Sequence, residues 1–374
     1  MSKKQIIREP PEIRNREEIE ALRQNDTYEK PENWYLSPRM VETFILGSDE
    51  TFEYKIKDKK NKIKISQKFY GDNVLVQRSI ITLASDRGLL LIGEPGTAKS
   101  WLSEHLAAGI SNNSLNGIQG TAGVTEDQIK YSWNYALLLA EGPSNKALVP
   151  GPVYVGMRDG IVTRFEEVTR CPREIQDTLI SILSDKVLLV PELGDKEVLL
   201  ANKGFNIIGT ANTRDKGVNE MSSALKRRFN FETVTPISTV EEEIEVVENQ
   251  TKNLLEQDRV KVDFSHNVYE LLVTTFHELR KGETTDGIKV NIPSTVMSTA
   301  EAVSVAYNSG LYAKYYHDGV VKPEHLALNI KGAIIKDNVE DVQKLNQYWD
   351  LIVKRRGNED KLWNQYYNSK KYFV

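Results

Sequence analysis

Residues 89–100 read Leu89-Leu90-Leu91-Ile92-Gly93-Glu94-Pro95-Gly96-Thr97-Ala98-Lys99-Ser100, and the reading of this stretch decides the fold. Four apolar residues make a short buried strand, a turn rich in Gly and Pro follows, and Lys99-Ser100 opens Trp101 to Ala108, whose apolar residues fall at helical spacing. Strand, glycine-rich turn and helix in that order form a phosphate loop. Backbone N–H groups on the turn and at the helix N-terminus lack internal partners and can point at phosphate oxygens. In this reading Gly93, Glu94, Pro95, Gly96, Thr97 and Ala98 form the cradle, Lys99 neutralises the β- and γ-phosphates, and the Ser100 hydroxyl ligates Mg²⁺. The pattern G-x-x-x-x-G-K-[ST] has Ala98 in place of its second Gly. A methyl group is accommodated there if the backbone keeps a negative φ.

Outward from the loop, a helix is expected from about residue 66, with Val74, Val76, Ile80, Ile81 and Leu83. Strands and helices then alternate to about residue 235, ending on Phe231-Glu232-Thr233-Val234. That alternation predicts a parallel sheet covered on both faces. After Pro236 the pattern is helical only, over 239–256, 264–281, 293–314 and 322–336, with the glutamates of 241–248 on a solvated face. Upstream, residues 1 to about 36 are charged, contain Pro10, Pro11 and Pro31, and read as an arm ordered only against a partner or neighbour. Residues 37–46 form a short helix with Met40, Val41, Phe44 and Ile45 on one face. Residues 54–65 alternate lysine with apolar side chains around Asp58-Lys59-Lys60-Asn61, which predicts a small hairpin. Its lysines guard a solvated edge; contact with nucleic-acid phosphates is the alternative.

A chain of 374 residues has room for two or three domains. A net charge of -4 supplies no global attraction to nucleic acid or an anionic membrane. The single cysteine, Cys171, excludes an intramolecular disulfide framework and suits a reducing compartment, and the five histidines lack metal-ligand spacing. Residues 1–8 lack an apolar signal core and no run of 18 apolar residues occurs, so a cytoplasmic location is expected.

A nucleotide site also needs carboxylates at the end of a neighbouring strand. Ile161-Val162-Thr163-Arg164-Phe165-Glu166-Glu167 is the candidate, with Glu166 beside the metal through water and Glu167 polarising the attacking water as general base. Thr163 and Arg164 stand where a buried strand is apolar, so an exposed strand end with two solvated glutamates is the competing reading. A third strand, Phe205 to Ala211, ends in Asn212, whose amide could hold the lytic water or the γ-phosphate. Met221 to Phe229 is a short helix ending in Arg227-Arg228; these arginines are either solvated or reach the γ-phosphate of an adjacent subunit.

In this order, Gly93 to Ser100, Glu166-Glu167, Asn212 and Arg227-Arg228 resemble an AAA+ ATPase module, and the details resemble its MoxR branch. The loop matches that branch's G-x-P-G-x-A-K-S, Ala98 included. Leu148 to Tyr154 resembles its F-x-x-G-P-[IV]-[FY]. Glu166 to Pro172 resembles its D-E-I-N-R-x-P, with Gln176 and Leu179 in register and Glu166 in place of Asp. The resemblance covers about residues 66–340. It implies an α/β P-loop NTPase core with a parallel 5-1-4-3-2 sheet, a C-terminal all-α lid, and a homo-oligomeric ring, usually a hexamer, with ATP at subunit interfaces. It also implies ATP hydrolysis, chaperone-like remodelling or assembly of a protein client, and a partner with a von Willebrand factor A domain. Lys99, Ser100 and Glu166 become the phosphate and Mg²⁺ residues, Glu167 the base, Asn212 the first sensor and Arg228 the interfacial finger, with Arg227 as runner-up. Residues 118–155 and Val187 to Leu200, with Gly194-Asp195 at its turn, become inserts facing a pore or substrate.

The expected division is 1–65 arm and hairpin, 66–236 core, 237–340 lid and 341–374 helical tail. The lid's usual arginine is missing from Asn291 to Val296, with Lys289 a weak substitute. Trp349, Trp363, Tyr366, Tyr367, Tyr372 and Phe373 lie outside the resemblance, as a docking face or, alternatively, a platform for single-stranded nucleic acid. Two rival functions stand beside the remodelling one: a nucleic-acid-directed motor, and a nucleotide-gated binding module that hydrolyses little.

Overall fold

The apolar run before the phosphate loop becomes the second strand of a five-stranded parallel sheet. A computed structural model describes residues 7–56, 59–194, 197–212, 219–336, 338 and 340–372. Asp58, Asp195 and Phe373 lie outside the described residues. The chain divides into two units, Met1–Glu94 with Ala98–Val234, and Thr235–Val374 with Pro95–Thr97.

The first unit opens with α1 (Pro11–Arg14), α2 (Arg16–Asn25), α3 (Pro38–Leu46), the hairpin β1 (Ser48–Ile56) and β2 (Lys59–Ile65), and α4 (Asn73–Ala84). It continues with β3 (Gly88–Gly93), α5 (Lys99–Ser111), β4 (Gly117–Gln119), α6 (Glu126–Ile129), β5 (Tyr131–Trp133), α7 (Tyr135–Glu141), β6 (Leu148–Pro150), α8 (Pro152–Asp159) and β7 (Val162–Glu166). It closes with α9 (Arg173–Asp177), α10 (Leu179–Ser184), the hairpin β8 (Val187–Leu189) and β9 (Val198–Leu200), β10 (Asn206–Asn212), α11 (Ser223–Lys226) and β11 (Phe229–Thr233).

The sheet runs β11-β3-β10-β7-β4, all parallel, which is the expected 5-1-4-3-2 order. Strand parity explains the apolar run. Leu89 and Leu91 pack with Val76, Ile80, Leu102 and Leu106 on one face, and Leu90 with Phe165, Ile182 and Ile207 on the other. The helix expected from residue 66 begins at Asn73, because the Asp72 carboxylate accepts from Val74 N–H at 2.9 Å and caps it.

The N-terminal stretch is not an arm. Ile19, Leu22, Trp34 and Leu36 are buried in the same cluster as Val41, Phe44, Ile45, Leu106 and Ala107. Few apolar residues suffice because charged ones dock the segment: Arg8 to Glu104 at 2.7 Å, and Glu18 to the buried Lys68. The lysine hairpin forms, antiparallel, but it begins at Ser48, and Lys59, Lys60 and Asn61, expected in its turn, pair in β2 with Ile56, Lys55 and Tyr54; Tyr54 and Ile65 are buried, Lys55, Lys59, Lys60 and Lys64 exposed, and Lys62 is paired to Glu53 at 2.7 Å.

The second unit is helical: α12 (Val240–Gln257), α13 (His266–Lys281), α14 (Thr299–Tyr316), α15 (Pro323–Ile334), α16 (Glu340–Tyr348), a π-helical turn (Trp349–Val353), α17 (Lys354–Gly357) and α18 (Lys361–Asn368). Residues beyond 340 are not a separate tail. Leu345, Tyr348, Trp349, Ile352, Val353 and Tyr366 belong to one core with Leu272, Phe276, Val305 and Ile330. The docking reading of the C-terminal aromatics therefore holds, with Trp363, Tyr367 and Tyr372 half-buried against that core. The glutamates of 241–248 divide. Glu241, Glu242 and Glu245 are exposed, but Glu243 is fully buried, accepting from Arg280 at 2.9 Å and from Thr299 at 2.7 Å. One turn of that helix faces inward, and the charge it carries is matched there by a guanidinium.

Candidate functional site

β3 delivers the loop to the C-terminal edge of the sheet, where Gly93 stands opposite Asn212 of β10. Gly96 takes φ +78°, a left-handed value that a side chain would strain. Ala98, the N-cap of α5, takes φ 65° and ψ 21°. The condition for tolerating alanine, a negative φ, is thus not met, and the left-handed conformation costs roughly 1–2 kcal/mol. Ala98→Gly is accordingly expected to leave stability unchanged or raise it by up to about 1 kcal/mol, the relief being partly offset by the greater freedom of Gly when unfolded. A urea-unfolding midpoint clearly below that of the parent would contradict this.

Lys99 is buried, and its Nζ donates to Gly93 O at 3.2 Å and Glu94 O at 2.6 Å. The ammonium is folded back over its own loop, held by carbonyls that a phosphate oxygen can replace.

The second carboxylate motif is not an exposed strand end. Glu166 and Arg164 are both less than a tenth exposed. On β7 they are two residues apart and so share the face that meets α5. All of the carboxylate's acceptor sites are taken. Glu166 Oε1 accepts from Ser103 Oγ at 2.5 Å and Arg164 Nη2 at 2.7 Å, and Oε2 accepts from Ser100 Oγ at 2.6 Å and Thr210 Oγ1 at 2.8 Å. Burial pushes this carboxyl up, but the Arg164 guanidinium and the hydroxyls of Ser100, Ser103 and Thr210 outweigh it and hold Glu166 below the usual glutamate range. It is therefore ionised at neutral pH.

Glu167 leaves the strand in a left-handed conformation, φ 52° and ψ 44°. Its N–H donates to Thr210 Oγ1 at 2.9 Å, and its carboxylate pairs with Arg170 at 2.9 Å. One hydroxyl, Thr210, thus touches both glutamates. Gly120, just past β4, donates its N–H to Glu166 O at 2.7 Å, and a Cβ there would lie 2.3 Å from Glu167 O. The backbone of the carboxylate pair is held by a neighbour that must be glycine.

Asn212 ends β10, half-buried, on the strand face it shares with Thr210. Of the two arginines, Arg228 is tied within its own chain, Nε donating to Ser184 Oγ at 2.7 Å and Nη1 to Ala224 O at 2.7 Å, whereas Arg227 is exposed. The inserts form as antiparallel pairs, β5 with β6 and β8 with β9. A groove of about 720 Å³, away from Lys99, is lined by residues of both, among them Tyr131, Trp133, Leu188 and Glu192.

In the second unit, α14 begins later than the expected 293 because Ser298 and Glu301 form a capping box. Lys289 is paired with Glu283. An arginine does stand at the start of α14, supplied by the preceding helix: Arg280 Nη1 donates to Met297 O at 2.8 Å and also holds Glu243.

Among the described residues no group of three or more His, Cys, Asp or Glu is arranged to hold a metal ion. Ser100 Oγ beside the ionised Glu166 is the hard-oxygen environment that Mg²⁺ takes together with phosphate oxygens and water. With its own acceptor sites filled, Glu166 serves by accepting the Ser100 proton, which leaves the hydroxyl lone pairs for the ion. Thr210, Ser103 and Arg164 were not expected as site residues. Ser103 is one helical turn from Ser100 and Thr210 two strand positions from Asn212, so face-sharing was the available signal.

The family described as AAA domain (dynein-related subfamily) matches residues 88–229, and that described as YehL-like AAA+ ATPase C-terminal domain matches residues 241–373. The uncharacterized protein YehL of Escherichia coli (strain K12) is 46% identical over 367 residues, 98% of this chain and 97% of that one. An uncharacterized protein of Staphylococcus aureus (strain USA300) is 26% identical over 145 residues, 38% of this chain and 54% of that one. Among solved structures, NtrX from Brucella abortus in complex with ATP aligns with a TM-score of 0.49 at 15% identity, over 78% of this chain and 60% of that one. Identity at the level seen with YehL, sustained through both units, means that the chain belongs to the YehL-like AAA+ ATPase family.

Proposed function

We propose that the chain hydrolyses ATP as one subunit of a ring and couples the cycle to remodelling or assembly of a protein client, as in the MoxR branch it resembles. The observation that carries the reading is the 2.6 Å hydrogen bond from Ser100 to Glu166, which joins the phosphate loop to the second carboxylate motif. Lys99 exchanges the carbonyls of Gly93 and Glu94 for phosphate oxygens. Ser100 would offer its lone pairs to Mg²⁺ while its O–H donates to the ionised Glu166. The ion, when bound, neutralises phosphate charge. Glu167, once parted from Arg170, polarises the attacking water, and the Asn212 amide orients it.

The finger that completes a neighbour's site is Arg228 by its place in the motif. Arg227 is favoured by its exposure, since Arg228 must first release Ser184 and Ala224. The resemblance further supports a hexamer and a partner with a von Willebrand factor A domain, and the single cysteine with the lack of an apolar signal core supports a cytoplasmic location. A second reading, a nucleotide-gated module with little turnover, is favoured by the Glu167–Arg170 pair, which occupies the base.

Steady-state ATP hydrolysis against protein concentration separates the two. The ring reading expects turnover per chain to rise cooperatively, about 10²-fold loss in Glu167→Gln, and about 10³-fold loss on alanine substitution of whichever of Arg227 and Arg228 is the finger. A wild type that binds ATP yet turns over no faster than Glu167→Gln selects the gated module instead.

A further inference from the structure

Arg164 could bind phosphate by residue type, yet its N–H groups are spent on protein partners around Glu166. Besides its 2.7 Å bond to Glu166, Nε donates to Ser103 Oγ at 2.9 Å and Nη1 to Ser114 O at 2.8 Å. A planar guanidinium with three fixed directions satisfied can stand in only one place. It occupies Oε1 of Glu166, and so turns Oε2 toward Ser100.

Two of the groups around Arg164 are in turn held by the N-terminal segment, by separate contacts. Glu104 Oε1 faces Arg164 Nη2 at 3.6 Å while its Oε2 is bound by Arg8 at 2.7 Å. Ser114, whose carbonyl accepts from Arg164, donates its N–H to Glu12 at 3.0 Å. Arg14 adds a third grip on α5, its guanidinium lying 4.7 Å from the centre of the Trp101 ring. The grip is releasable. The Arg8–Glu104 pair is largely exposed on the arginine side, and Glu12 Oε2 is buried without a hydrogen-bond partner.

We propose that Arg164 is a positioning residue for the metal-side carboxylate, and that residues 8–14 regulate the site by fixing where Arg164 stands. Docked, the segment holds Ser114 and Glu104 so that Arg164 keeps Glu166 aimed at Ser100, and the site takes its nucleotide with Mg²⁺. Undocked, Arg164 loses the support on its far side, Glu166 is free to turn, and the Mg²⁺-dependent part of nucleotide affinity falls. The inference rests on the reading of Gly93–Ser100 as a nucleotide site.

The test is the affinity of the full chain for a fluorescent ATP analogue, measured in Mg²⁺ and again in EDTA, taken as a ratio. Arg164→Met is expected to lower that ratio about tenfold, the loss of one charge-assisted hydrogen bond, and Arg164→Lys to restore part of it. Arg8→Ala with Glu12→Gln, which leaves every residue of the site in place and keeps the inference testable if Arg164→Met does not fold, is expected to lower it about threefold. Affinity in EDTA stays at the parent value throughout. An unchanged ratio in the Arg8/Glu12 variant overturns the regulatory role. An equal fall in both buffers overturns it too, since the segment then only holds the fold. A parent that binds the analogue in neither buffer overturns this inference and the nucleotide reading together.

Discussion

Glu166→Ala is expected to destabilise the first unit by about 3–5 kcal/mol, the cost of leaving one partner of a buried ion pair without the other. Arg164 is less than a tenth exposed and loses its counter-charge, while Ser100, Ser103 and Thr210 lose an acceptor together. The urea midpoint should fall accordingly. The double variant Glu166→Met with Arg164→Met, which removes both charges and keeps their volume, should recover most of the loss. The effect also has a pH signature. Because Glu166 is held below its ordinary value of 4.5, the stability it contributes is fully present above that value and is lost as pH falls through its lower, folded-state value. Glu166→Gln should therefore flatten the acid limb of stability. A destabilisation by Glu166→Ala of under about 1 kcal/mol would mean that the pair is worth no more than a surface one.

Lys99→Ala is expected to lower ATP turnover about 10³-fold, on the scale found when a group that stabilises transferring charge is removed. The side chain is buried and donates to two loop carbonyls, and the circular dichroism spectrum of the variant should match the parent's. Lys99→Arg should not rescue. A guanidinium is planar and larger, and the place between Gly93 O and Glu94 O suits a compact ammonium. Turnover within tenfold of the parent for a folded Lys99→Ala would remove the loop from the chemistry.

The core sheet was readable from β3 and β10, whose apolar residues end in Gly93 and Asn212 at one edge. Its strand order came from the family resemblance, and the pairing of β3 with β10 and β11 agrees with it. Reading one residue at a time failed where two residues cancel. Arg164 looked like evidence of exposure, yet on a strand it faces the same way as Glu166 and is neutralised there. The N-terminal segment failed for a related reason, since its charges are docking contacts rather than marks of solvation. The glutamates of α12 were read as one class, although helical period turns Glu243 inward while its neighbours stay out. The condition set for Ala98, a negative φ, is not met, and a side chain's identity does not report its φ. The C-terminal aromatics, at helical spacing, were correctly weighed as packing.

The order in which the chain is made has a consequence for the sheet just described. β3 pairs with β10 and β11 and with no strand closer in sequence, so more than a hundred residues must be synthesised after Gly93 before its first partner exists. At roughly 5–20 residues per second this takes on the order of ten seconds. During that time the most apolar strand of the protein has both backbone edges open, the condition that favours pairing with the wrong chain. The phosphate loop thus cannot gain its paired strand, nor nucleotide assist folding through it, until β10 has arrived.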